Sequence, residues 1–209
     1  MSSSSSRLSP TLSTPLAVGR ALQGPWWRVL LALVPSRELF AWARKQRTYR
    51  AAWDSCPRAD FLLEIASRLA VPGSREHRSV VHGACACARL VLPLVTEGGD
   101  IARVTLDTAE HWVRGAAVPD AVAGVVMSAW DTSDRLWGTT PLDATWWAFE
   151  SAAEAAHSVV DDEKPAEAAP VAAMCARRAL AEARSDVSEQ RLADVVRSIV
   201  PRPPLFDAA

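Results

Sequence analysis

Proline and glycine punctuate this chain in a repeating order, and that order leaves few folds open. Proline is tolerated at a first helical position, where its missing N–H has no partner to lose, and glycine accepts the left-handed turn after a last one. Pro57, Pro119 and Pro141 stand at the heads of amphipathic runs, while Gly73, Gly98-Gly99, Gly115 and Gly138 follow their ends. Between these marks the residues are chiefly Ala, Leu and Arg, which favour helix. No hairpin signal occurs.

The spacing predicts helices over 26–33, 37–53 after a Ser36 cap, 57–70, and 75–96 with a bend near Pro93. Further helices are expected over 101–114 after an Asp100 cap and over 119–137. Another, opened by Thr140-Pro141-Leu142-Asp143, runs to about 159. The last two span 166–184 and, after Asp186 with Glu189 three on, 187–199. The expectation is an all-α, compact array of about eight antiparallel helices.

At 209 residues, 49% hydrophobic, the chain can bury one sizeable core. Residues 1–24 are Ser/Pro-rich without a period and are read as a flexible, disordered leader. Residues 25–200 are read as a single helical domain, and 201–209 as a Pro-rich tail. The apolar stretch 26–35 is interrupted by Arg28 and is far short of the roughly 20 residues a membrane span needs. No signal peptide is recognisable. Four cysteines, with Cys85 and Cys87 too close to bridge along a helix, fit a reducing compartment, so the cytoplasm is expected.

Net charge is −1, yet the halves differ: residues 1–114 carry 15 basic and 9 acidic side chains, residues 115–209 carry 8 and 15. Nucleic-acid binding would use Arg28, Arg37, Arg44, Lys45, Arg47 and Arg50. The acidic second half speaks against it, so a helical regulatory or nucleic-acid-binding module is the alternative reading. The nine Trp are read mainly as core, and of Trp146-Trp147 at most one can point squarely inward, because helix neighbours diverge by 100°.

Signatures of chemistry are few. No phosphate-binding Gly loop, His-Glu-x-x-His or Gly-x-Ser-x-Gly occurs. His82 and Cys85 share a helix face with His77 nearby, but Cys87 points elsewhere and no second Cys pair completes four ligands, so neither metal nor cofactor is expected. Asp131 with Asp134, Glu150 with Glu154, and Asp107 with His111 have helix-face spacing that ordinary solvated faces share. Without a nucleophile–base–orienter trio the chain is read as no enzyme, with a cryptic enzyme as third reading.

The unusual convergence is at 51–69, where Trp53, Asp54, Cys56, Arg58 and Asp60 crowd around Pro57. Taken alone, Asp54, Arg58 and Asp60 read as caps and partners that hold the 53–61 turn. The segments Glu38-Leu39-Phe40-Ala41-Trp42-Ala43-Arg44 and Tyr49-Arg50-Ala51-Ala52-Trp53-Asp54-Ser55-Cys56-Pro57-Arg58-Ala59-Asp60-Phe61-Leu62-Leu63, with the later Ala109-Glu110-His111-Trp112-Val113-Arg114-Gly115, resemble helical bacterial proteins carrying an immunity-protein-5-like domain. The resemblance covers about residues 36–200.

It implies a protein of polymorphic-toxin systems that binds and neutralises a cognate toxin without chemistry of its own. The expected partner-binding residues are Trp53, Asp54, Arg58, Asp60, Trp112, Arg114, Trp146, Glu150 and Glu154. The acidic stretch Glu150, Glu154, Asp161, Asp162 and Glu163 is expected to meet a basic toxin.

Overall fold

The structure is a computed structural model that describes residues 25–139, 143–160 and 165–203. Among the described residues lie ten α-helices and no strand, where the punctuation predicts about eight. They are α1 (Trp27–Ala32), α2 (Arg37–Ala43), α3 (Tyr49–Ser55), α4 (Ala59–Ser67), α5 (Arg75–Val91), α6 (Gly99–Val113), α7 (Pro119–Thr139), α8 (Ala144–Val160), α9 (Pro165–Glu182) and α10 (Glu189–Ile199). A 3₁₀ turn at Leu92–Leu94 carries Pro93 out of α5. No described helix is long and apolar enough to cross a membrane.

The departures from expectation lie at helix ends, where side-chain caps decide. The run 37–53 breaks in two, because the Thr48 hydroxyl accepts from the Ala51 N–H at 3.1 Å and starts α3 afresh. Pro57 does not open α4: it sits in the link before Arg58, an extended residue whose side chain makes no cap bond. Ser188, not Asp186, caps α10 by accepting from Arg191 N–H. Asp100 is not the cap of α6 either. That helix follows Gly98, left-handed at φ 74°, and Asp100 lies in its first turn, paired with Arg103. Asp143 is itself the cap of α8, accepting from Trp146 N–H at 2.8 Å. Residues 140–142 of that start signal lie outside the described residues, as does the 1–24 leader.

The heart of the fold is the pairing of α8 with α9, the most extensive in the molecule. Ala148, Ala152, Ala155 and Ala156 of α8 and Ala169, Ala172, Ala173 and Ala176 of α9 are all buried. Small side chains let two helix backbones approach closely. The buried Ser151 hydroxyl donates to the Ala172 carbonyl at 2.8 Å across that seam. Helices α6 and α7 pack on α8, α5 lies beside both α8 and α9, and α4 is enclosed by α5, α9 and α10. Every residue of α4 is buried, Asp60 and Glu64 included. An amphipathic reading of 57–70 misses this, since period alone cannot show that a polar face is covered.

Helices α1–α3 are tied on by side chains. Trp26, Leu30, Leu39, Tyr49 and Trp53 enter the core, and Trp42 lies 5.8 Å from Phe61. Arg197 of α10 donates to the carbonyls of Trp53 (3.3 Å) and Cys56 (2.6 Å), satisfying acceptors at the end of α3. Beyond α10 the chain stays on the body as far as Pro203, which is buried.

Candidate functional site

A cleft of about 610 Å³ opens where α2, α4 and α9 meet. Its floor is apolar: Phe61 of α4 with Pro170, Val171 and Met174 of α9. Around that floor stand Arg37, Glu38, Arg58, Asp60, Glu64, Arg68, Glu167, Arg177 and Arg178. The sequence scatters these residues over 141 positions, and the packing of α4 against α9 gathers them.

Two ion-pair networks order the α4 side of the cleft. Arg58 donates to both carboxylate oxygens of Asp60, at 2.8 and 2.5 Å, and reaches Glu38 on α2 at 3.3 Å. Its guanidinium also lies 4.2 Å from the centre of the Phe61 ring. The hydrogen bond to Asp60 pushes the Arg58 pKa further up, so its charge is permanent. The second network centres on buried Glu64. It accepts from the Ser36 N–H, from the Ser36 hydroxyl at 2.7 Å and from Arg68 at 3.3 Å. Arg68 in turn donates to the Leu33 carbonyl at 2.9 Å. Forked guanidinium contacts of this kind fix geometry as well as charge.

The α9 side is differently held. Arg178 lies 4.7 Å from the Trp147 ring centre, a cation–π contact. Trp147 continues through Trp146 (4.7 Å) to Trp137 (4.9 Å), which is exposed. As expected for adjacent helix residues, Trp147 is buried while Trp146 is half-buried. Arg177 reaches Glu189 of α10 at 3.3 Å.

Of the residues expected to bind a partner, only Arg58 and Asp60 line this cleft. They pair as expected; Arg58 stands at the N-cap position of α4 without a side-chain cap bond, and Asp60 lies in the first turn. Trp53 and Trp112 are core residues, each about 5% exposed or less, and cannot anchor a partner. Asp54 and Arg114 are exposed but lie outside the cleft. Trp146 is connected to the cleft through Trp147. Glu150 and Glu154 are half-buried on α8 and already engaged, Glu150 by the Ser133 hydroxyl and Glu154 by His157 at 3.5 Å. Asp161, Asp162 and Glu163 lie outside the described residues.

Sequence reasoning missed Glu64, Arg68, Arg177 and Arg178 as site residues, and it named Arg37 only as a nucleic-acid contact. The available signal was the adjacent Arg177-Arg178 pair, an abrupt double charge in an Ala-rich run.

The other candidates for chemistry are dispersed or engaged. His77 is buried, its Nδ1 accepting from Gly73 N–H (2.9 Å) and its Nε2 donating to the Ser158 carbonyl (2.7 Å). His82 is exposed while Cys85 is fully buried, so the shared face expected of them is absent. No group of three metal-ligating side chains exists among the described residues. Asp107 does not meet His111; with Glu110 it clamps Arg89. No match to this chain is found among protein-family models, curated proteins or solved structures.

Burial pushes all four thiols up, Cys56 to about 11 and Cys87 to about 12, with Cys85 and Cys175 higher still. A thiolate is the reactive form, so native cysteines should be inert. At pH 8 a thiol reagent should label none of the four in the folded protein and all four in denaturant. Fast labelling of Cys56 or Cys175 in the native state would show an opening the structure does not contain.

Glu150 makes a pH-dependent contribution. Burial, aided by Glu154 and Asp134 and opposed by Ser133, raises its pKa above the ordinary 4.5. The folded state therefore holds this proton more tightly than the unfolded one. Stability from this group is fully present below pH 4.5 and is lost as pH rises through the folded value. Glu150→Gln should melt above wild type at pH 7 and coincide with it at pH 4. A variant that melts lower at pH 7 would mean the ionised carboxylate is the favoured form.

Proposed function

We propose that this chain is a non-catalytic binding protein of the immunity type, acting in the cytoplasm by seating a cognate toxin in the α2–α4–α9 cleft. The observation that supports this reading most is the ordered state of the cleft. Arg58, Asp60 and Glu38, from two helices, and Glu64 with Arg68 and Ser36, are fixed in networks beside an apolar floor. A surface already ordered loses little side-chain freedom on association, and Arg beside an aromatic ring is a typical interface anchor. The resemblance of 38–63 to immunity-protein-5-like domains includes Glu38 of α2, Arg58 of the link before α4, and Asp60 and Phe61 of α4, all of which line the cleft.

Co-expression with the product of the adjacent gene tests this. The expected results are a co-purifying complex, rescue of growth, and loss of both on Arg58→Glu with the circular dichroism unchanged. Failure to form a complex, or turnover of a small substrate by the purified chain, would overturn the reading.

A second reading rests on a separate observation. Arg28 and Arg44 each lie 5.7 Å from the Trp27 ring centre, and Arg37, Lys45, Arg47 and Arg50 are exposed. A basic face with an aromatic ring suits an anionic polymer such as nucleic acid. Retardation of DNA or RNA that falls steeply with salt and disappears in Arg28→Ala/Arg44→Ala would favour it.

A further inference from the structure

The charges that line the cleft are not equally occupied. Three of its four carboxylates are engaged by groups of the cleft, Glu38 and Asp60 by Arg58 and Glu64 by Arg68 and Ser36, while Glu167 has an interaction of its own. Two of its five arginines are not so paired. Among the described residues neither Arg37 nor Arg178 has a carboxylate partner, and both are exposed. Arg177 is tied only to a half-exposed Glu189 at 3.3 Å, on the side of α10 rather than the cleft. The charge left for an incoming molecule is therefore positive, although the chain as a whole carries a formal −1.

Placement adds to this bookkeeping. Arg37 comes from α2 and Arg178 from α9, with Phe61, Pro170, Val171 and Met174 also lining the cleft. Trp147 holds Arg178 in place from behind through its ring face. Such a cleft offers an apolar contact flanked by guanidinium groups from different elements. We infer that the cleft takes an acidic segment of a protein partner, an apolar side chain meeting the floor and Asp or Glu on either side meeting Arg37 and Arg178. This rests on the binding role proposed above, and it reverses the sign expected from the sequence, where the acidic half was to meet a basic toxin.

The occupant is a peptide segment rather than a free anion because the cleft is about 610 Å³, with an apolar floor that a phosphate would leave uncovered. Arg37 on α2 and Arg178 on α9 stand on different helices, so together they suit a length of chain better than a single point charge does.

The full chain is immobilised and offered a displayed library of random short peptides. The recovered peptide is then measured by fluorescence anisotropy, beside a copy with Asn and Gln for its Asp and Glu. The expected peptides carry Asp or Glu around a Leu, Ile, Phe or Met. Replacing their acids, or using Arg37→Glu/Arg178→Glu, should weaken binding about ten-fold or more, and salt should weaken it further. Arg37→Ala/Arg178→Ala serves as a milder second variant, with near-UV circular dichroism confirming that Trp147 stays packed.

Recovery of basic peptides, equal recovery by wild type and double variant, no enrichment at all, or stoichiometric binding of inorganic phosphate alone would each overturn the inference. If acidic peptides bind as described while the adjacent gene product is not neutralised, the immunity role fails and the cleft assignment stands. If neutralisation occurs and is indifferent to Arg37 and Arg178, the reverse holds.

Discussion

Replacing Glu64 with Ala should destabilise the protein by about 3 kcal/mol, the cost of leaving buried donors without their acceptor. Glu64 is only 6% exposed and serves three donors: the Ser36 N–H, the Ser36 hydroxyl and Arg68. It is the most buried of the polar ties between α2 and α4, beside Glu38–Arg58, so loss should be felt first in α1 and α2. Amide exchange over residues 27–43 should quicken well before exchange in α8 or α9. Glu64→Gln keeps an acceptor for Ser36 but loses the charge facing Arg68, and should cost roughly half as much. Denaturant unfolding measures both. An Ala variant within about 0.5 kcal/mol of wild type, in the range of an ordinary surface change, would show that Glu64 is not such a tie.

Gly98→Ala should cost a similar amount for a different reason. Gly98 holds φ at +74°, where an L side chain is strained by about 1 kcal/mol or more. An added Cβ would also stand 3.1 Å from both Phe149 and Thr132, pressing on the junction of α6, α7 and α8. Strain and overpacking together should give about 2–3 kcal/mol. Gly83→Ala is the informative contrast. Its Cβ would lie 2.8 Å from Val200 and 3.2 Å from Leu63, but the helical φ is ordinary. Helix propensity there returns about 1 kcal/mol, so the net loss should be near 1. If Gly83→Ala proves worse than Gly98→Ala by thermal unfolding, close packing at the end of α10 outweighs backbone strain.

Much of the helix order was legible because local chemistry writes it into the chain. Ser36, Gly73, Gly115 and Pro119 mark ends that tertiary packing does not move. Thr48 and Ser188 are equally local, but Thr48 lies inside an unbroken helical period and Ser188 beside Asp186, and only the realised geometry shows which side chain caps. The apolar period of 57–70 was correctly helical but could not tell that Asp60 and Glu64 lie inside.

By itself, then, the sequence determined an all-α chain with most helix limits, because capping and period act within a few residues. Only the tertiary structure decided which charges face one another. Arg58 meets Glu38 from 20 positions away and shares its cleft with Arg178 from 120 positions away. Spacing along one helix reports neighbours three or four residues apart and nothing beyond them. It was the packing of α2 on α4 that brought Glu38 to Arg58 and Ser36 to Glu64, and the packing of α4 on α9 that brought Arg178 to the same cleft.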